Sequence, residues 1–137
     1  RININVQPYY IENNTTFDIE EGIRNLFLNK ATLPDIVVSL NETASECLCQ
    51  ATIDYNRVGS VKIINYYSSA STLKAIRKGV VSKTIELDAK QLGENSIQVL
   101  CDYIASGHVS DYISVDMNVI SKKSVLGYYK KDDVNKN

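Results

Sequence analysis

The feature that most constrains how this chain can fold is the regular alternation of short strand-like runs with helical patterns. Runs of alternating or β-branched apolar residues predict strands at residues 2–6 (extending weakly to 11), 36–40, 61–64, 84–87 and 113–120. The segments between them repeat apolar residues at helical spacing, as at Ile19, Ile23 and Phe27. Strict alternation with short connections predicts an α/β fold, a three-layer sandwich around a largely parallel sheet in (βα)4β order.

Polar residues at fixed spacing mark where the predicted helices begin and end. Three pairs have the spacing of a capping box: Asp18 with Glu21, Thr43 with Glu46, and Asp88 with Gln91. The first helix is predicted at residues 19–29, and Gly79 and Gly107 are predicted to end the third and fourth helices.

The charge balance and the apolar runs exclude two broad classes of function. With 15 basic and 16 acidic residues the formal net charge is −1, so no basic field exists to bind a phosphate backbone directly, and no direct nucleic-acid partner is expected. No apolar run approaches the length that spans a bilayer. The chain starts with Arg1 rather than Met and inside a strand-like run, so we expect it to be a fragment of a longer protein.

Nothing in the sequence indicates catalysis, a metal site or a cofactor. Three cysteines, Cys47, Cys49 and Cys101, are too few and odd in number for a disulfide scaffold, and we interpret them as small apolar fillers. Cys47 and Cys49 are about 200° apart around a predicted helix, which is poor for shared ligation. His108, the single histidine, follows a helix end away from any nucleophile, and no glycine-rich phosphate loop follows a strand.

In open α/β sheets, ligands meet the carboxyl ends of the strands. That rule directs attention to three loops, at residues 40–43, 65–71 and 87–90.

Five segments, taken in order, resemble one family. They are Leu33-Pro34-Asp35-Ile36-Val37-Val38-Ser39-Leu40-Asn41-Glu42, then residues 61–67, then 73–79, then Thr84-Ile85 with Gly93, and last residues 116–125. Their order and spacing are similar to the C-terminal part of type I periplasmic binding proteins and the related repressor sensor domains. On this resemblance residues 1–125 are a periplasmic-binding-protein-like C-terminal lobe, and residues 126–137 are a polar tail.

The resemblance implies a two-lobe module of which this chain holds the second lobe, the N-terminal lobe being missing. In the family, the segment matching residues 87–107 crosses into the first lobe, and the strand from about residue 113 returns through the hinge. The apolar stripe of that helix must then pack on this chain's own sheet, on a second copy by homodimerisation or domain swapping, or on another chain. Left in water, it would cost several kcal/mol at about 25 cal/mol per Å².

By the same resemblance the candidate ligand-binding residues are Asn41, Glu42, Tyr66 and Tyr67. The Asn41 amide can donate to and accept from one diol, although capping the next helix would explain it equally well. Tyr67 stands where the family has an Asp, and Leu87 where it often has a Gln, so two usual polar contacts are absent. Tyr66 and Tyr67 can stack on a ring, or be partly buried at the sheet edge.

The sequence therefore predicts a non-catalytic ligand-binding module of an extracytoplasmic solute-binding or sensor protein that works by hinge closure. Its small-molecule ligand is sugar-like, and its partner is a membrane transporter or a sensor kinase. The alternative is the effector-sensing domain of a cytoplasmic repressor, with which three free cysteines are easier to reconcile. A response-regulator receiver is disfavoured, because Asn14 and Leu40-Asn41 do not supply the acidic residues that it requires.

Overall fold

A computed structural model describes residues 3–11, 15–28 and 33–127. The elements in chain order are α1 (Thr16–Leu28), β1 (Ile36–Ser39), α2 (Glu42–Asp54), β2 (Lys62–Tyr66), α3 (Ala70–Lys78), β3 (Lys83–Leu87), α4 (Ala89–Ser106) and β4 (Met117–Ser121). From β1 onward the predicted alternation of strands and helices is confirmed.

The four strands form one sheet in the order β1-β2-β3-β4. β1 pairs with β2 and β2 with β3 in parallel, whereas β3 pairs with β4 antiparallel. The predicted α/β class and largely parallel sheet are confirmed. Each parallel connection contains a helix, as a parallel crossover requires.

The core lies on the face of the sheet that α2 and α3 cover. One row of residues in register across that face runs from Ser39 through Asn65 and Thr84 to Ile120, and all four are buried. Above it pack the apolar residues of the helices, with α1 packed against α2 through Ile19, Ile23 and Phe27. Phe27 is 1% exposed, and its ring stacks on Tyr55 at a centroid distance of 5.6 Å.

The opposite face of the sheet is largely open in the described part of the chain. Ile36, Val38, Met117 and Val119 point to this side and are all exposed. None of the residues of α4 is buried, so α4 does not supply the third layer of the predicted sandwich there. This layer is the part of the predicted architecture that the described residues do not form on their own.

The helix ends agree with prediction at α4 and at two glycines. Asp88 caps α4 by accepting from the Gln91 backbone N–H at 2.9 Å, and Gly79 and Gly107 end α3 and α4 with left-handed φ angles of 78° and 72°. A left-handed residue is easiest for glycine, which has no Cβ.

Two capping predictions are wrong. α2 begins two residues earlier than expected, so Asn41 rather than Thr43 is its cap. α1 begins at Thr16, which places Asp18 inside the helix, where its backbone N–H donates to the Thr15 hydroxyl oxygen at 3.2 Å.

The first predicted strand is also wrong over its described residues. Residues 3–11 form no strand, and Ile4 and Val6 are 78% and 81% exposed; residues 1 and 2 lie outside the described part. An alternating pattern becomes a strand only where a neighbour accepts its hydrogen bonds, and neither edge strand of the sheet pairs with this segment. The last strand is shorter than predicted, since it starts at Met117 rather than near Ile113.

Candidate functional site

The carboxyl ends of the three parallel strands meet at one edge of the sheet. We call residues 40–42, 66–69 and 86–88 the carboxyl edge. Helices α2, α3 and α4 all begin there, and side chains cap each of them: Asn41, Ser69 and Asp88. Helix N-termini carry partial positive charge, so three of them at one edge favour electron-rich ligand groups such as hydroxyl oxygens.

Asn41 has a structural role at this edge. Its Oδ1 accepts from the Ala44 backbone N–H at 3.0 Å, and its carbonyl accepts from the Ser45 hydroxyl at 2.8 Å. The capping interpretation of Asn41 is thus realised, while the Nδ2 group of this exposed side chain remains able to donate. Glu42, the first residue of α2, is also exposed.

Tyr66 and Tyr67 lie together at the end of β2. Their rings meet edge to face with centroids 5.0 Å apart, a favoured aromatic geometry. Tyr66 is half-buried, and Tyr67 is 52% exposed. The structure therefore presents one tyrosine ring to solvent, supported by the other.

Sequence reasoning passed over Glu86 because strand alternation turns it away from Leu87. The alternation is real, since Glu86 lies on the same side of the sheet as Thr84. Its carboxylate nevertheless accepts a hydrogen bond from the Ser68 hydroxyl in the loop after β2. A polar group is thus held at the carboxyl edge next to the tyrosines, a position that only the contact between β3 and the loop after β2 reveals.

The chain leaves and re-enters the sheet side by side at this same edge. Leu87 at the end of β3 is in register with Met117 at the start of β4, and the Asp88 backbone N–H donates to the Asp116 carbonyl at 3.0 Å. The Gln91 side chain accepts from the Asp116 backbone N–H at 2.6 Å. The chain therefore leaves the sheet and returns to it through two neighbouring strand ends.

The helix that lies between those crossings presents apolar side chains to solvent. On α4 these are Leu92, Ile97, Leu100, Tyr103 and Ile104. Large exposed apolar patches are uncommon on monomeric proteins and occur where a surface contacts protein, membrane or ligand.

A polar buried residue lies directly behind the tyrosines. Asn65 is 1% exposed, and neither its Oδ1 nor its Nδ2 has a hydrogen-bond partner in proper geometry. Burial raises the pKa of the neighbouring Cys49 thiol to about 11. An interaction with the Asn65 side chain acts in the opposite direction and lowers this pKa, whereas the negative charge of Glu46 raises it further.

Burial likewise raises the pKa of Cys47, with Glu20 adding to the rise. Neither thiol is therefore ionised near neutral pH, and neither has the low pKa of a reactive cysteine.

One groove in the described part of the chain lies away from the carboxyl edge. It has a volume of about 370 Å³ and lies between α1 and α2, where Phe17, Glu20, Arg24 and Gln50 are among its lining residues. We place the candidate site at the carboxyl edge instead, because ligands of open α/β sheets meet the carboxyl ends of the strands. Within residues 3–11, 15–28 and 33–127, no group of three His, Cys, Asp or Glu side chains is placed to hold a metal ion. No helix in the described ranges is both long and apolar enough to cross a membrane.

Comparisons with known proteins show which solved structures have a similar fold. No protein-family profile and no curated protein sequence match the chain. Among solved structures, the glucose-galactose binding protein GanP of Geobacillus stearothermophilus matches 80% of this chain and 39% of its own, with a TM-score of 0.70 and 15% identity. A solute-binding protein of an Agrobacterium vitis ABC transporter, with bound D-fucose, matches 88% and 41%, with a TM-score of 0.71 and 18% identity.

A third structure, the XylFII–LytSN complex, matches with higher identity. It covers 80% of this chain and 38% of the matched one, with a TM-score of 0.63 and 26% identity. The described residues have the fold of type I periplasmic binding proteins, and the resemblance to that family predicted from the sequence is confirmed as a likeness of fold. The chain spans about two-fifths of the length of these proteins.

Proposed function

We propose that this chain is one lobe of an extracytoplasmic solute-binding protein that binds a sugar-like solute without chemically changing it. The observation that carries the proposal is the paired crossing at Leu87 and Met117, next to the exposed Tyr67 ring. A second lobe attached through these crossings would face the carboxyl edge and close over a ligand by hinge motion. The exposed apolar side of α4 would then be buried within that lobe.

In this proposal Asn41, Glu42, Tyr66 and Tyr67 contact the solute. Glu42 accepts from hydroxyl groups, the Nδ2 group of Asn41 donates to them, and the tyrosine pair covers an apolar ring face. These roles use charge, hydrogen-bonding capacity and exposure that the residues already have, and they need no rearrangement of the sheet.

Within solute-binding proteins, we favour a sensor role over delivery to a transporter. Identity is 26% to XylFII and 25–26% to two structures of the XylFII–LytSN complex, against 14–18% for five other solute-binding proteins. XylFII forms a complex with LytSN, so by analogy the closed form of this protein would be recognised by a second protein chain.

The test is a thermal-shift and calorimetric screen of the full-length protein against D-glucose, D-galactose, D-fucose, D-allose, arabinose and myo-inositol. A solute at 100 times its Kd stabilises the folded state by about 2.7 kcal/mol, which moves Tm by several degrees. We expect Glu42→Gln to weaken binding of the responding solute about fivefold to tenfold, since it removes a charged acceptor.

The matched control is Glu21→Gln on α1, an exposed carboxylate away from the carboxyl edge, which should leave binding unchanged. A protein that gives no shift with any of these solutes, or equal losses from both variants, would overturn the proposed function.

A further inference from the structure

Tyr67 has a backbone conformation that tyrosine rarely adopts. Its φ angle is +128°, and the only other non-glycine residue with positive φ in the described ranges is Asn56, at +53°. Asparagine enters this region with modest cost, whereas for a bulky residue a positive φ is a true outlier. Such conformations persist only where the surrounding structure holds them.

Two hydrogen bonds hold the Tyr67 backbone, one on each side. Its N–H donates to the Ile85 carbonyl at 2.9 Å, and its carbonyl accepts from the Thr84 hydroxyl at 2.5 Å. Thr84 is fully buried in β3 and also donates to the Asn65 carbonyl at 3.1 Å. The two groups that hold the Tyr67 backbone therefore belong to the neighbouring strand β3 and not to the loop.

The unusual φ angle decides where the Tyr67 ring goes. In a continuing strand, the residue after Tyr66 would lie on the same face as Asn65, under the helix layer. The positive φ ends that alternation, and the ring instead stands half-exposed at the carboxyl edge, edge-on to Tyr66. The strained backbone at Tyr67 therefore coincides with an exposed aromatic ring.

We infer that Tyr67 is the residue that selects the solute, and that its strained backbone serves to present its ring as a stacking platform. The ligand class this implies is a compact ring with an apolar C–H face, rather than an open-chain polyol. This inference rests on the proposed function and adds the recognition chemistry of its site.

The test uses three variants of the full-length protein, each measured for Tm and for affinity to the sugar that responds in the wild-type screen. Tyr67→Gly removes the ring and the strain, so it should raise Tm by about 2–4 °C and weaken sugar binding about tenfold. Tyr67→Ala removes the ring but keeps the Cβ, so it should weaken binding equally while its Tm stays below that of Tyr67→Gly. Tyr67→Phe keeps the ring and should retain affinity within about twofold.

The order of the Tm values of Tyr67→Gly and Tyr67→Ala tests the backbone strain, whereas the binding data test the role of the ring. Glycine ordinarily destabilises relative to alanine, and Tyr10, which is exposed and has negative φ, provides that control: Tyr10→Gly should be no more stable than Tyr10→Ala.

Sugar binding by the wild type that Tyr67→Gly leaves intact would overturn this inference and leave the proposed function standing. A Tm for Tyr67→Gly below that of Tyr67→Ala would overturn the role of strain. A wild-type protein that binds none of the sugars would overturn both proposals.

Discussion

Replacing Asn65 with leucine should stabilise the protein, contrary to the usual effect of altering a buried strand residue. Asn65 is 1% exposed in β2, and its side-chain amide lacks a hydrogen-bond partner of proper geometry. Leucine has the same number and branching of heavy atoms as asparagine, but no polar group to desolvate. Residue 65 also lies on the same face of β2 as Ile63, which packs in the core.

The expected gain is a balance of three effects. A buried amide without a partner costs about 1–3 kcal/mol, and the substitution removes that cost. The two methyl groups are larger than the amide atoms, and overpacking offsets up to about 1 kcal/mol of the gain. We expect a net stabilisation of about 1–2 kcal/mol, or a rise in Tm of about 2–6 °C. The smaller Asn65→Val variant avoids overpacking and suits a strand, so it should also stabilise.

Urea denaturation followed by circular dichroism measures this difference, and an unchanged m-value would show that the compactness of both states is preserved. Asn118→Leu on β4 is the matched control: that side chain is exposed, and its replacement should change stability by less than about 0.5 kcal/mol. Asn65→Leu made in a Cys49→Ala background tests whether the Cys49 thiol is a hydrogen-bond partner of the Asn65 amide. We expect a coupling energy between the two substitutions below about 0.5 kcal/mol. A loss of more than about 1 kcal/mol in Asn65→Leu would show that the amide is satisfied in solution, and the reasoning would be wrong.

Three further predictions concern the core and the thiols. Phe27→Ala should cost about 3–5 kcal/mol in urea denaturation, because it leaves a cavity beside Tyr55, whereas Phe17→Ala on the exposed side of α1 should cost less than about 1 kcal/mol. At pH 8, iodoacetamide followed by mass spectrometry should label exposed Cys101 well before Cys49, and equal rates would contradict the burial of Cys49. Because burial raises the Cys49 pKa from 9.0 to about 11, the stability from its neutral thiol is complete below pH 9 and is lost as pH rises towards 11.

The sequence was sufficient where short-range rules decide the outcome. Asp88 caps α4 and Gly79 ends α3 as predicted, because each forms its contacts within one helical turn. The β-branched run at Ile36 forms a parallel strand, and the fold likeness read from the order of segments is confirmed. The predicted strand near Ile4 failed because its pattern carries no information about whether a partner strand is present.

The candidate site shows the same division. Its position at the ends of β1, β2 and β3 followed from α/β topology alone. The contact between Ser68 and Glu86 could not be predicted, because it joins residues 18 positions apart through a loop conformation.

The residue sequence by itself determined the periodicity, and through it the alternation of strands and helices and the edge where ligands meet such a sheet. Only the tertiary structure decided what each residue does at that edge. Tyr67 reads in the sequence as one more aromatic after a strand, yet the buried Thr84 hydroxyl on a neighbouring strand holds its backbone at positive φ and leaves its ring in solvent. Periodicity records which face of an element is apolar, whereas strain and exposure arise from partners that are distant in the chain.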